Sequence, residues 1–198
     1  MSSVELFAKG GPVMYLLLLC SLSAMAIAID RFSFYHKAEK GAAELLAGLY
    51  KLLRDEKPQT ALEKLGGQDS AVAFLVRAGL TAAIDGTSVE LAVETAYSEA
   101  ALKLRARMSY LSTIVTLSPL LGLLGTIFGM ISSFNIFSMQ AGQPLAITGG
   151  IGEALIATAC GLFVAIFALV IHAYFAQRMD RVLTELDKTR STVVAVLS

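Results

Sequence analysis

The sequence predicts an all-α integral membrane protein with three transmembrane helices, the long helices extending into a cytoplasmic helical bundle. Three observations carry that expectation. Of the 198 residues, 56% are hydrophobic and only 16% are charged, where a soluble domain carries about a quarter charged. Two uncharged stretches are long enough to cross a hydrocarbon core of about 30 Å as helices, and a third apolar stretch with a single charged residue follows the second after a short break. The polar remainder is helical in its periodicity throughout.

Residues 1–9 form a short N-terminal arm, and residues 10–29 (GGPVMYLLLLCSLSAMAIAI) form the first span. Ala24-Met25-Ala26 resembles a signal-peptide cleavage site. The charges run the wrong way for one, with Lys9 offset by Glu5 and with Arg31 and Lys37 following the apolar run. Residues 30–109 are a polar segment, 110–139 the second span, 140–145 a turn carrying Gly and Pro, 146–177 the third span and 178–198 a tail. Lys and Arg number eleven in 30–109, four after 177, one in the arm and none in the turn. The excess of positive charge puts the segment and the tail in the cytoplasm, with the N-terminus and the turn outside.

The polar segment balances its eleven basic residues with eleven acidic ones, and the whole chain has net charge zero. Nothing here points to nucleic acid. Leu45, Leu46, Leu49, Leu52 and Leu53 mark one apolar stripe; Val72, Leu75, Val76, Leu80 and Ile84 mark another. After the turn at Asp85-Gly86, Thr87 and Glu90 have capping-box spacing. From there one apolar face continues without a breaker to Pro119, so the helix is expected to run straight into the second span. Met179, Val182, Leu183, Leu186 and Val193 give the tail the same amphipathic pattern. Cys20 and Cys160 lie in apolar runs at a spacing that fits no metal site, and each is expected to pack as a small hydrophobe.

In the second span Ser118, Gly122, Thr126, Gly129 and Ser133 recur at spacings of three and four, and Gly125 with Gly129 makes a GxxxG. Ala154, Thr158, Gly161 and Ala165 form the matching stripe in the third. Small residues let membrane helices approach closely. Counted from the turn at about 1.5 Å per residue, Thr126 and Thr158 sit at one level, roughly 20 Å down. Glu153 is about 12 Å down by the same rise, opposite Ser132 and Ser133. It is the only Asp, Glu, Lys or Arg among residues 108–177. A carboxylate in the bilayer costs several kcal/mol unless it meets water or a partner, so it marks a functional candidate. The plainer readings are a structural role near the outer interface for Glu153, and threonines bonded to their own preceding turns. Two neutral hydroxyls cannot carry a proton through a charge change, so a titrating group on another polypeptide is expected.

The pair SPLLGLLGTIFGMISSF (118–134) and GIGEALIATACGLFVAIFA (150–168) resembles the ExbB/TolQ/MotA proton-channel family, most closely its ExbB/TolQ branch. That resemblance implies a rotary motor subunit, five copies ringing two copies of a single-span ExbD- or TolR-like partner whose helix bears an aspartate. Proton flow would then do work on a TonB- or TolA-like protein. Carried over by position, Thr126, Thr158 and Glu153 match the family's ion-pathway residues, and Pro119 its proline opening the second-helix motif. Ser118, Gly122, Gly125, Gly129, Ser133, Ala154, Gly161 and Ala165 fall on the packing and pore face. Protons are the implied coupling ion, favoured over sodium by Thr158 standing without an adjacent threonine. No organic cofactor or metal is implied, and phospholipid is the one further bound molecule expected.

Two positions depart from the family. Phe167 stands where a proline is usual, which should straighten the third helix and restore a backbone bond. His172-Ala173 replaces a common Tyr-Asn, and His172 is a candidate proton relay. A stator for gliding or another surface motor would carry the same features. From another class, a structural scaffold without ion conduction remains open. A secondary transporter would need broken helices and an internal repeat, and an enzyme a nucleophile, acid–base pair or metal cluster. The sequence offers none of these.

Overall fold

The computed structural model describes residues 10–139 and 144–197, with side chains at 136–148 outside the described set. The N-terminal arm and most of the 140–145 turn therefore lie outside it. Seven helices follow in order among the described residues: α1 (Val13–Glu39), α2 (Ala42–Asp55), α3 (Pro58–Lys64), α4 (Ala71–Asp85), α5 (Val89–Arg105), α6 (Met108–Met139) and α7 (Pro144–Leu197). Three stretches of helix are long and apolar enough to cross a membrane, in α1, α6 and α7. The chain divides into two compact units. One comprises residues up to Ile29 with Arg107–Ala173, and the other Asp30–Ala106 with Tyr174–Ser198.

In the second unit most of the expected stripes form the core, with Leu46 and Leu52 half-buried at its edge. Leu45, Leu49 and Leu53 of α2 are buried, as are Val72, Leu75, Val76 and Leu80 of α4. Ile84 is not: it is 36% exposed, because the helix ends one residue later. Val182, Leu186 and Val193 of α7 close the core, and Gly79 of α4 leaves the room that Val193 occupies. Tyr35 of α1 stacks on Phe175, with ring centroids 5.6 Å apart. At the rim Arg178 donates to both carboxylate oxygens of Glu39 through Nε and Nη2, and Arg190 bonds Glu94 at 2.8 Å.

Two local expectations are corrected. The α5 cap is Ser88, not Thr87: the Ser88 hydroxyl accepts the Leu91 N–H at 3.3 Å. Thr87 is already committed to the previous helix. Gly86 turns left-handed (φ +68°) and the Thr87 N–H donates to Ala82 O at 2.9 Å, which closes α4 with a Schellman bond. Nor does α5 run straight into α6. Ala106 is extended and Arg107 takes φ +65°, a conformation costing a non-glycine residue about 1–2 kcal/mol. The break frees carbonyls at the end of α5, and α1 supplies donors for two of them. Arg31 Nη1 donates to Lys103 O at 3.1 Å and Tyr35 OH to Leu104 O at 2.9 Å. Both side chains are buried, so these bonds fix where the helix stops.

Candidate functional site

Small residues set the separation of α6 and α7. Ser118, Gly122, Gly125, Gly129 and Ser133 are buried on α6, and Ala154, Ala157, Gly161 and Ala165 on α7. A β-carbon on Gly161 would stand 2.7 Å from Ser118 O and 2.9 Å from the Gly122 Cα. One on Gly125 would stand 2.4 Å from the Ala157 Cβ, and one on Gly129 2.7 Å from Gly150 O. Backbone lies against backbone here, and no side chain can be inserted without parting the helices. Ala157, wholly buried, escaped the sequence reading. Its signal was its spacing, three residues after Ala154 and four before Gly161. Pro119 is half-buried at the edge of this face, within an unbroken α6.

The hydroxyls divide into two kinds. Ser118, Thr126 and Ser133 each donate to the preceding turn of α6, at Ile114 O (2.8 Å), Leu123 O (2.6 Å) and Gly129 O (3.0 Å). For Thr126 the plainer expectation is what forms. Thr158 differs. Its Oγ1 stands 3.2 Å from Ala154 O on its own helix and 3.2 Å from Gly122 O on α6. One proton faces two acceptors on two helices, and both lone pairs of the hydroxyl stay free to accept.

That contact corrects the register obtained by counting from the turn. Thr158 is level with Gly122, four residues or about 6 Å along α6 from Thr126. Counting assumed that both helices leave the turn at one height. The register is instead set by which small residues interlock: Gly161 with Ser118, Ala157 with Gly125, Gly150 with Ser133. Thr126 is half-buried at the edge of the face, not across from Thr158.

Glu153 is also displaced from its expected neighbours. Its carboxylate does not stand opposite Ser132 and Ser133 but against Gly11, where a β-carbon would lie 2.0 Å from Oε1. Gly11 has φ +70° and sits in the turn that opens α1, with Met14 N–H donating to Gly11 O at 3.2 Å. Glycine is therefore required there twice, for conformation and for space. The carboxylate is held at the N-terminal end of a helix, where the aligned peptide dipoles favour negative charge. Gly11 was missed by the sequence reading; the Gly-Gly-Pro opening the first span was its only signal. The α1 turns that follow, Val13, Met14 and Leu17, pack with Leu121 and Cys160. Cys160 thus packs among apolar side chains, half-buried, and Cys20 is buried.

His172 is half-buried and has no hydrogen-bond partner among the described residues. Phe167 lies in an unbroken stretch of α7, as loss of a proline predicts. Outward, α6 and α7 expose Leu120, Ile127, Phe134, Leu155, Phe163 and Val170. Apolar faces this broad require lipid or further protein against them. No group of three or more metal-ligating side chains occurs among the described residues.

The chain matches the MotA/TolQ/ExbB proton channel family model over residues 67–188, which take in α4, α5, α6 and most of α7. A biopolymer transport protein described as ExbB-like 3, from Synechocystis sp., is 39% identical over 167 residues, covering 81% of this chain and 79% of the relative. A second from that organism, ExbB-like 1, is 33% identical over 190 residues, 88% of this chain and 72% of the relative. The Tol-Pal system protein TolQ of Pseudomonas aeruginosa is 39% identical over 93 residues, 46% of this chain and 40% of its own length. With its all-α architecture and three membrane-spanning stretches, the chain belongs to the MotA/TolQ/ExbB proton channel family, on its ExbB/TolQ-like branch.

Proposed function

We propose that this chain is the channel-forming stator subunit of a proton-driven rotary motor in a bacterial inner membrane. Copies of it, five by family resemblance, ring two single-span ExbD- or TolR-like helices. The motor passes work to a TonB- or TolA-like protein or a related client in the envelope. The N-terminus and the α6–α7 turn face the periplasm, and the second unit faces the cytoplasm, as the distribution of Lys and Arg favours.

The observation that carries this reading is Thr158. Its hydroxyl bridges α6 and α7 at a glycine carbonyl with lone pairs to spare, in a stretch whose one ionisable acid or base of the Asp, Glu, Lys, Arg set is Glu153. Such a hydroxyl can orient water or receive a bond from a carboxylic acid, but it cannot hold a charge. Glu153 is five residues away, about 7.5 Å along the helix, with its carboxylate turned to α1. A partner's carboxylate passing Thr158 would supply the missing titration. Each proton crossing 100 mV yields roughly 2.3 kcal/mol, so a demanding mechanical step uses several. Thr126, with its hydroxyl satisfied, would line the path one turn along.

The test is Thr158→Val, which keeps shape and removes the hydroxyl. Partner-dependent proton flux in proteoliposomes should fall at least tenfold, equivalent to about 1.4 kcal/mol, with ring assembly unchanged. Undiminished flux would remove Thr158 from the path. A second reading, a structural scaffold without conduction, draws support from the Glu153–Gly11 contact alone; it requires that no variant of this face alters flux.

A further inference from the structure

A cavity of about 580 Å³ opens in the second unit between α1, α4 and α5, well inside the range of small-molecule sites. Its walls are unlike those of the apolar core. Three cations line it, Lys37, Arg77 and Lys103, against one carboxylate, Asp69. Phe34, Phe74 and Leu104 supply an apolar floor. The charges are incompletely satisfied from within. Lys103 is paired with Glu99 at 2.6 Å and lies over the Phe74 ring, whereas Lys37 has no ion-pair partner among the described residues. Arg77 donates through Nη2 to Gln68 O at 2.5 Å, but its Nε is buried and has no acceptor. A buried, unpartnered guanidinium N–H costs free energy unless something accepts from it. The beginning of α4, capped by buried Ser70, adds the positive end of a fifteen-residue helix to the same wall.

We propose that this cavity binds an amphipathic phosphate ester. Its head pairs with Lys37 and the Arg77 guanidinium, and its apolar body lies on Phe34, Phe74 and Leu104. The guanidinium edge suits a phosphate oxygen, and the mixed lining disfavours both a bare ion and a bare hydrocarbon. Two sources share this chemistry. One is the head of a membrane phospholipid, and the other is a soluble phosphate ester. The site is independent of the proposed ion path.

The experiment uses the full chain in an uncharged detergent, with hexyl phosphate, dilauroyl phosphatidylglycerol, dilauroyl phosphatidylcholine and inorganic phosphate as probes in calorimetry and native mass spectrometry. Hexyl phosphate should bind saturably and inorganic phosphate much more weakly. Arg77→Gln and Lys37→Gln should each lower affinity about tenfold or more, as loss of a charge-assisted bond does, and Arg190→Gln should not. Ala78→Phe fills the cavity without touching a charge and should abolish binding, which covers the case in which Arg77→Gln misfolds. Displacement of hexyl phosphate by the phosphatidylglycerol and not the phosphatidylcholine identifies a lipid source; displacement by neither identifies a soluble one. Absence of saturable binding, binding indifferent to Arg77→Gln, Lys37→Gln and Ala78→Phe alike, or a cavity closed by a second copy in the assembled ring overturns the proposal.

Discussion

Glu153 is a lone acid in 70 residues, and its surroundings explain how the fold tolerates it. The carboxylate is taken up where α1 begins, in a turn whose glycine leaves space for it. Gly11→Ala should therefore be costly: about 1–2 kcal/mol from the left-handed backbone, with a further loss from expelling the carboxylate. Thermal unfolding of the purified chain in micelles would register this as a lower Tm. The clash, though not the backbone strain, should be relieved in an Glu153→Ala background. Equal losses from Gly11→Ala in both backgrounds would show that the two residues do not meet. At the same scale, Tyr35→Phe removes the side-chain hydroxyl that donates to Leu104 O. A buried carbonyl left without a donor costs roughly 1–3 kcal/mol, and an unchanged Tm would mean that water or relaxation replaces the bond.

Among the elements, α6 and α7 depend on contact between backbones, and this makes glycine positions unequal. A β-carbon on Gly161 would meet the Ser118 carbonyl and the Gly122 backbone, whereas one on Gly152 meets nothing within 4 Å. Gly161→Ala should destabilise the pair and loosen its packing; Gly152→Ala should be neutral or slightly stabilising, since alanine favours helix by up to about 1 kcal/mol. Disulfide trapping between cysteines placed on the two helices, together with Tm, would separate the two outcomes. If both substitutions behave alike, the interlock is not what sets the helix separation. The break between α5 and α6 rests on the same kind of logic. It contains neither glycine nor proline, and it stands where Arg31 and Tyr35, more than sixty residues earlier, accept the task of satisfying the last α5 carbonyls.

For the molecule as a whole, what the sequence made legible was whatever depends on local pattern. Three apolar runs gave three membrane-spanning stretches, and the stripes at Leu45–Leu53 and Val72–Leu80 became core. Ser118, Gly122, Gly129 and Ser133 lie buried on one face as their spacing of three and four implies, while Thr126 falls at its edge and Gly125 inside it. What escaped was set by contacts distant in the chain. The stop at Ala106 depends on α1, the α5 cap moved to Ser88 because Thr87 serves α4, and the level of Thr158 depends on which glycines interlock. Glu153 met Gly11 across more than a hundred residues, and no periodicity carries that information. The membrane-level account turns on a titrating group that α6 and α7 do not place beside Thr158. Proton flux in proteoliposomes is the measurement that reaches it most directly, comparing this chain alone, this chain with the proposed single-span partner, and the pair with the proposed membrane aspartate of that partner changed to asparagine. The account predicts flux from the intact pair only. Equal flux from the chain alone, or from the pair carrying asparagine, would contradict it.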